Sequence, residues 1–351
     1  MEGDSLRILH ICVLCITLLL GILGNAMVLA VVAFSRKLHN ITAIFIINLA
    51  IGDLGITLFV IPFSIHVRIT ENWVFGDIWC QILAFLSILL YTISMSSLAL
   101  VSVERLFAIK YPLQYAQKMK PTTVKWMVAA AWIYATLRAS CPFLNFGEYY
   151  FSNAKAMCAP RYVGDVPYTM TVLVLGVLIP SVVMCYAYAC IGKEAKILVG
   201  RGELVCNDEH CMYVPNRSKE NKAAKILATI TGIFFICWIP YTTANTWSSF
   251  AGSEMPYHVD STTQWLTLFN SAINPWMHSL LNATFRKCAV KLWNRAKSKL
   301  VSENRIEPNV NTISTETAQP RNSLDQAVDP PQIEPQIEMQ DMDNENHPQG
   351  T

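Results

Sequence analysis

Apolar residues along this chain come in long unbroken blocks. From Ile11 to Phe34 no side chain is charged, and about 20 such residues in an α-helix cross the hydrocarbon core of a bilayer. Six more blocks follow, at about 41–67, 78–104, 124–147, 168–191, 224–250 and 262–281. None alternates apolar and polar positions as a barrel strand would. The pattern predicts an all-α membrane protein, a bundle of seven transmembrane helices. After the seventh block, Ala283–Lys299 sets Phe285, Val290 and Leu292 near one face and basic residues elsewhere. That predicts a short amphipathic eighth helix on the membrane surface. The expected organisation is a short outer N-terminus (1–7), a seven-span domain (8–282), the surface helix (283–299) and an acidic tail (300–351).

Composition agrees with the blocks. Hydrophobic residues make up 53% and charged residues 15%, against about 25% charged in soluble proteins. The first block is too long, and its leading Glu2 and Asp4 too acidic, for a cleavable signal peptide. Loop charges set the orientation. Arg36 and Lys37, then Lys110, Lys118, Lys120 and Lys125, then Lys193, Lys196, Arg201, Arg217, Lys219 and Lys222 follow the odd-numbered spans. Arg286, Lys287, Lys291, Arg295, Lys297 and Lys299 follow the seventh. The positive-inside rule places the N-terminus outside and the C-terminus in the cytoplasm. The last fifty or so residues are rich in Glu, Gln, Asn, Pro and Asp and hold too few aliphatic residues to build a core, so a disordered tail is expected. Thr312, Ser314, Thr315 and Thr317 cluster there as phosphorylation candidates. The triplets starting at Asn40, Asn216 and Asn282 map to the cytoplasmic side or the membrane edge and are set aside as glycosylation sites. Cys206, His210 and Cys211 lack a second ligand pair and are set aside as a metal site.

A charged group within a span costs about 2.5–3.5 kcal/mol on insertion scales, so each marks a functional candidate. Asp53 is the one acid deep within a span, and Asn25, Ser94, Asn270, Ser271 and Asn274 fall near the middle of theirs. They make either a cation site or a hydrated polar cluster. Glu104 and Arg105 end the third block and Glu220 starts the sixth. A carboxylate from another helix can hold Arg105 in one conformation and release it in another; the alternative is that each reaches water independently. Pro62, Pro180, Pro240 and Pro275 interrupt four spans, which suits a bundle that moves.

These residues also form an ordered series: Gly24-Asn25, Asn48-Leu49-Ala50-x-x-Asp53, Trp73-x-Phe75-Gly76, Cys80, Glu104-Arg105-Leu106, Trp132, Pro180 and Tyr188, Phe234-x-x-Cys237-Trp238-Ile239-Pro240, and Asn274-Pro275. Across about 8–295 the chain resembles the rhodopsin-like (class A) G-protein-coupled receptors. The resemblance implies a Cys80–Cys158 disulfide and a sodium pocket at Asp53, Ser94, Asn270, Ser271 and Asn274. It implies a ligand-sensing switch at Trp238 and Phe234. The remaining activation positions are Glu104, Arg105, Tyr188, Glu220, Pro240, Pro275 and His278, with Arg105, Pro112 and Leu113 meeting the G protein. Arrestin would follow tail phosphorylation, and Cys288 becomes either a palmitoyl anchor or a free thiol. No cofactor beyond the sodium ion is implied. The family usually carries Tyr where His278 stands, and Leu106 replaces another usual Tyr.

Trp265-Leu266-Thr267-Leu268-Phe269-Asn270-Ser271 and the Trp73 loop resemble the biogenic-amine branch. Amine receptors hold the ammonium with an Asp seven residues after the disulfide Cys, and Ser87 stands there. Leu268 replaces their bracing Tyr, Tyr241 and Thr242 replace two Phe, and Val172 and Gly176 occupy hydroxyl positions. Simple monoamines are therefore not expected as agonists. Retinal is not expected either, since the seventh block has no Lys. The expected pocket is Ser87, Tyr91, Val172, Trp238, Tyr241, Asn245, Gln264 and Trp265. Arg138, in the outer half of span four, either attracts an acidic ligand or turns outward or to a loop. The expected function is a plasma-membrane receptor that carries a small extracellular signal to heterotrimeric G proteins; the alternative is a ligand-independent signaller. No internal repeat supports a transporter or channel. No nucleophile–base constellation supports an enzyme, and no nucleic-acid partner is expected.

Overall fold

A computed structural model describes residues 2–200, 217–281 and 283–303. The tail phosphorylation cluster, Cys206, His210 and Cys211 lie outside the described residues, as do Asn216, Asn282 and the side chains of Glu220 and His278.

The first span runs Glu2–Phe34, the second Ile41–Phe59 and Ile61–Thr70, the third Asp77–Lys110 and the fourth Pro121–Ser140. The fifth runs Val166–Leu173, a wider π turn at Val174–Leu178, and Ile179–Gly200. Arg217–Ala251 and Tyr257–Leu281 are the sixth and seventh, and Ala283–Glu303 is the eighth helix, four residues longer than its amphipathic pattern indicated. Among the described residues, five helical segments, 5–34, 41–70, 77–110, 121–144 and 166–194, are long and apolar enough to cross a membrane. The seventh carries more polar residues, and the bundle buries Asp260, Ser261, Gln264, Asn270, Ser271 and Asn274 among them.

Local chemistry sets the breaks. Asn40 caps the second span by accepting from the Ala43 amide at 2.9 Å. That span divides at Val60, and Pro62 stands in the first turn of the helix that follows. In the fifth span, Pro180 has no N–H to donate to the Gly176 carbonyl. The π turn sits at that point.

Polar bonds tie the spans together. Asn48 receives the Trp132 indole N–H at 2.9 Å and donates to Ser97 at 2.8 Å, which joins spans two, three and four. A Cβ on Gly24 would lie 2.5 Å from the Pro275 ring, so only glycine lets spans one and seven approach this closely. Trp276 donates to the Leu20 carbonyl at 3.2 Å across the same contact.

One element departs from the all-α expectation. Between spans four and five, β1 (Tyr149–Ser152) and β2 (Met157–Pro160) pair antiparallel, with Phe151 opposite Cys158. The Cys80–Cys158 disulfide, with Cα atoms 5.3 Å apart, fastens β2 to the start of span three. The hairpin covers this end of the bundle. The bundle thus has a disulfide end and, opposite it, an Arg105 end.

Candidate functional site

Beneath the hairpin lies a cavity with about 640 Å³ of empty space, its mouth included. Tyr91, Val172, Trp238, Tyr241 and Asn245 line it, as the sequence suggested; Arg138, Tyr162, Thr169, Gly176 and Phe234 line it as well. Three expected members do not belong. Ser87 is buried, and its hydroxyl turns back on the Ala84 carbonyl at 2.8 Å. Gln264 and Trp265 line a separate small cavity with His10, Ser64, Arg68 and Lys155. The expected single pocket is thus divided.

Lys155 stands between the two cavities. It sits in the tight turn joining β1 to β2, yet its side chain is only 4% exposed. Its ammonium donates to Asn245 Oδ1 at 2.9 Å, lies 3.6 Å from Asp260 Oδ1, and stands over the Tyr162 and Tyr241 rings at 5.4 and 5.6 Å. Burial lowers the lysine's pKa from its ordinary value, and the Asp260 charge opposes that shift. Arg68 pins the turn by donating to the Ala154 carbonyl and, at 2.8 Å, to Ser261. Sequence reasoning missed Lys155, Asp260 and Arg68, because single charges near span ends gave no hint that they turn inward.

The cavity floor is aromatic. Trp238 stacks on Phe234 at 5.5 Å and meets Tyr91 and Tyr241 edge-on at 5.0 and 6.0 Å. Both Trp238 and Phe234 lie on span six, just before Pro240, which the helix carries within its unbroken length.

Deeper in the bundle, fully buried Asp53 accepts from Ser94 at 2.8 Å and from Asn274 at 2.8 Å. Asn25 donates to the Ser271 carbonyl at 3.0 Å beside them. The side-chain carbonyls of Asn270 and Asn274 are buried and have no donor.

At the Arg105 end, Arg105 donates to both Glu104 oxygens and to Thr42. Tyr115 donates to the same Glu104 carboxylate. The described partners of Arg105 thus come from its own helix and span two. Thr42 and Tyr115 escaped sequence reasoning, since hydroxyl residues near a span end are unremarkable in a pattern. Tyr188 accepts from Ser102 at 2.9 Å. Pro112 and Leu113 open a short helix (Pro112–Lys118) that packs no residue into the core, and Leu113 is 88% exposed. On the eighth helix, half-buried Cys288 accepts from Ser35 at 3.1 Å, and Phe285 is buried against span one.

The family described as 7 transmembrane receptor (rhodopsin family) matches residues 24–278. The chain belongs to that family. As a rhodopsin-family receptor it is a multi-pass G-protein-coupled receptor and not an enzyme. Human 5-hydroxytryptamine receptor 4 is 28% identical over 311 residues, covering 81% of this chain and 79% of the relative. Human histamine H2 receptor is 29% identical over 299 residues, covering 82% and 79%. Octopamine receptor beta-2R of Chilo suppressalis is 29% identical over 308 residues, covering 79% and 78%. The crystal structure of squid rhodopsin superimposes with a TM-score of 0.72 at 18% identity, covering 88% of this receptor and 93% of that chain. That likeness is one of fold. The receptor's ordered motifs therefore lie on the bundle the resemblance implied, with the disulfide formed and Trp238 at the base of the cavity.

Proposed function

We propose that this receptor sits in the plasma membrane with its disulfide end outside. In this reading it relays a small extracellular ligand, other than a simple monoamine, to a heterotrimeric G protein. Arrestin would engage after tail phosphorylation. The supporting observation is the aromatic cavity whose floor is the Trp238–Phe234 stack on span six. A ligand that presses on Trp238 acts directly on a helix that starts at the Arg105 end. Relatives named for serotonin, histamine and octopamine supply the scaffold argument. Against an amine ligand stand Ser87, bonded within its own helix, and a cavity wall with no carboxylate. The nearby acid, Asp260, already faces the Lys155 ammonium.

The deep cluster suits a sodium ion. Asp53 supplies the charge, and the unpartnered Asn270 and Asn274 carbonyls supply the hard oxygen donors such an ion takes. Ser94 and Ser271 complete the set. A bound ion would stabilise one arrangement of the bundle.

The test is nucleotide exchange by purified G proteins on reconstituted receptor. Basal or extract-stimulated exchange is expected, and Arg105→Ala abolishes it. Serotonin, histamine and octopamine at sub-micromolar concentration are expected to change nothing; a robust response to any of them overturns the non-amine reading. One observation favours a second reading, ligand-independent signalling: the receptor's own Lys155 ammonium already occupies an aromatic and carboxylate niche beside the cavity. Basal exchange that falls in Lys155→Met with no ligand added would support it.

A further inference from the structure

Arg138 is a cation on the cavity wall, and no carboxylate among the described residues pairs with it. It lies near the disulfide end of span four, where a long side chain has room to turn outward. Instead it turns inward. Its Nη1 donates to Thr92 of span three, whose hydroxyl donates in turn to the Ile88 carbonyl at 2.6 Å. Its Nε is buried and has no partner. Among the described residues the carboxylates engaged in ion pairs are Glu71, Glu104, Asp260 and Glu148, and none of them pairs with Arg138. Buried charges are as a rule paired.

Span five holds the guanidinium in place. A Cβ on Gly176 would lie 2.3 Å from Arg138 Nη2 and 2.4 Å from Cζ. The group therefore lies in the notch that this glycine leaves in the π turn. Beside it, Tyr134 of span four donates to the Leu175 carbonyl at 2.8 Å and fastens the two spans. No lining residue of the cavity is acidic. Beside the cavity the Lys155 ammonium lies over the Tyr162 and Tyr241 rings and already faces Asp260. The cavity thus presents the Arg138 charge on an aromatic and aliphatic wall.

We propose that this cavity binds a small organic acid, with Arg138 holding its carboxylate and the rings of Tyr91, Tyr162, Trp238 and Tyr241 holding its apolar body. The proposal rests on reading the cavity as the receptor's ligand site. A guanidinium presents a planar fork of N–H donors that matches a carboxylate in two parallel bonds. Arg138 has part of that fork free of hydrogen bonds and already faces the cavity. The same positive field disfavours a protonated amine.

The test uses the purified full-length receptor in detergent and measures thermal stabilisation by matched probes. Acids (4-hydroxyphenylacetate, indole-3-acetate, phenylpropionate and octanoate) are compared with their neutral amides and corresponding amines, and with inorganic sulfate. At least one acid is expected to bind about 10- to 100-fold more tightly than its amide and amine, the size of a charge-assisted hydrogen-bonded pair. Arg138→Gln removes that preference, and Arg138→Lys keeps the sign of charge but loses the fork and most of the preference. Gly176→Ala, which displaces the guanidinium without removing it, also weakens acid binding. If Arg138→Gln does not fold, the wild-type comparison and Gly176→Ala still decide. Acids that bind no better than their amides, no binding by any acid, or stabilisation by sulfate alone overturns the proposal. Nucleotide exchange on the same samples keeps the two readings apart. Acid binding without any receptor-dependent exchange refutes the signalling reading alone, whereas Arg105-dependent exchange without acid binding refutes this proposal alone.

Discussion

Replacing Lys155 by methionine keeps most of the apolar stem and removes the charged end. In the intact protein the ammonium donates to Asn245, faces Asp260 and lies over two tyrosine rings. The substitution leaves Asn245 Oδ1 without a donor and Asp260 without its counter-ion. A buried polar group left unsatisfied costs about 1–3 kcal/mol. At 3.6 Å the contact with Asp260 is a Coulombic ion pair and not a hydrogen bond, and Arg68 still acts on Asp260 after the substitution, so the total loss stays within this range. A loss of about 2 kcal/mol in holding the turn is expected, which corresponds to about 30-fold more frequent local opening. Hydrogen–deuterium exchange on the full receptor reads this directly at the amides of residues 153–157. The disulfide and Arg68 remain, so the faster exchange is confined to the turn. Exchange within about threefold of wild type would refute the reasoning. The pH arm has a defined sign. Burial lowers the folded-state pKa of Lys155 below its ordinary 10.5, so between the two values the opened turn binds more protons. Docking therefore strengthens as pH rises through that window, and the difference between wild type and Lys155→Met widens. A difference that shrinks with rising pH would show that the ion pair outweighs burial.

Three further outcomes are expected. Tyr115→Phe removes a donor to the carboxylate that holds Arg105; about 1 kcal/mol of lost restraint shifts a two-state population about fivefold, and basal nucleotide exchange should rise by that order. Wild-type receptor should melt higher in sodium chloride than in choline chloride, by about 1.4 kcal/mol of stability at a sodium concentration ten times its Kd, and Asp53→Ala should erase the difference between the salts. Gly24→Val puts a side chain where even Cβ lies 2.5 Å from the rigid Pro275 ring; overpacking should cost about 1–3 kcal/mol, read as a lower melting temperature with the span contents unchanged by circular dichroism.

Sequence and structure agree where information runs along a single helix. Span length is such a property, so the blocks beginning near Ile11 and ending near residue 281 lie on the seven observed helices. The proline breaks are local too, and Pro62 and Pro180 each sit beside a change of helix geometry. The pattern alone marked Asp53, Ser94 and Asn274 as polar residues within spans and left open whether they converge; the resemblance grouped them, and the structure brings them within hydrogen-bond distance. The site's specificity is different in kind, since it depends on where long side chains point. Lys155 follows a hairpin that hydropathy cannot register, and only the disulfide and Arg68 turn that hairpin over the bundle. The expected eight-residue pocket is divided for the same reason. Ser87, Gln264 and Trp265 lie on the right helices, but Ser87 bonds to its own backbone and Lys155 divides the space that would join the other two to Tyr241. Arg138 shows the limit most sharply. Span four alone left open whether it faces lipid, loop or ligand. The choice was made on span five, where Pro180 withholds one N–H, the helix widens, and Gly176 leaves a notch of guanidinium size. The charge of the cavity thus follows from residues nearly forty positions apart, and it becomes legible only once the two helices are set side by side.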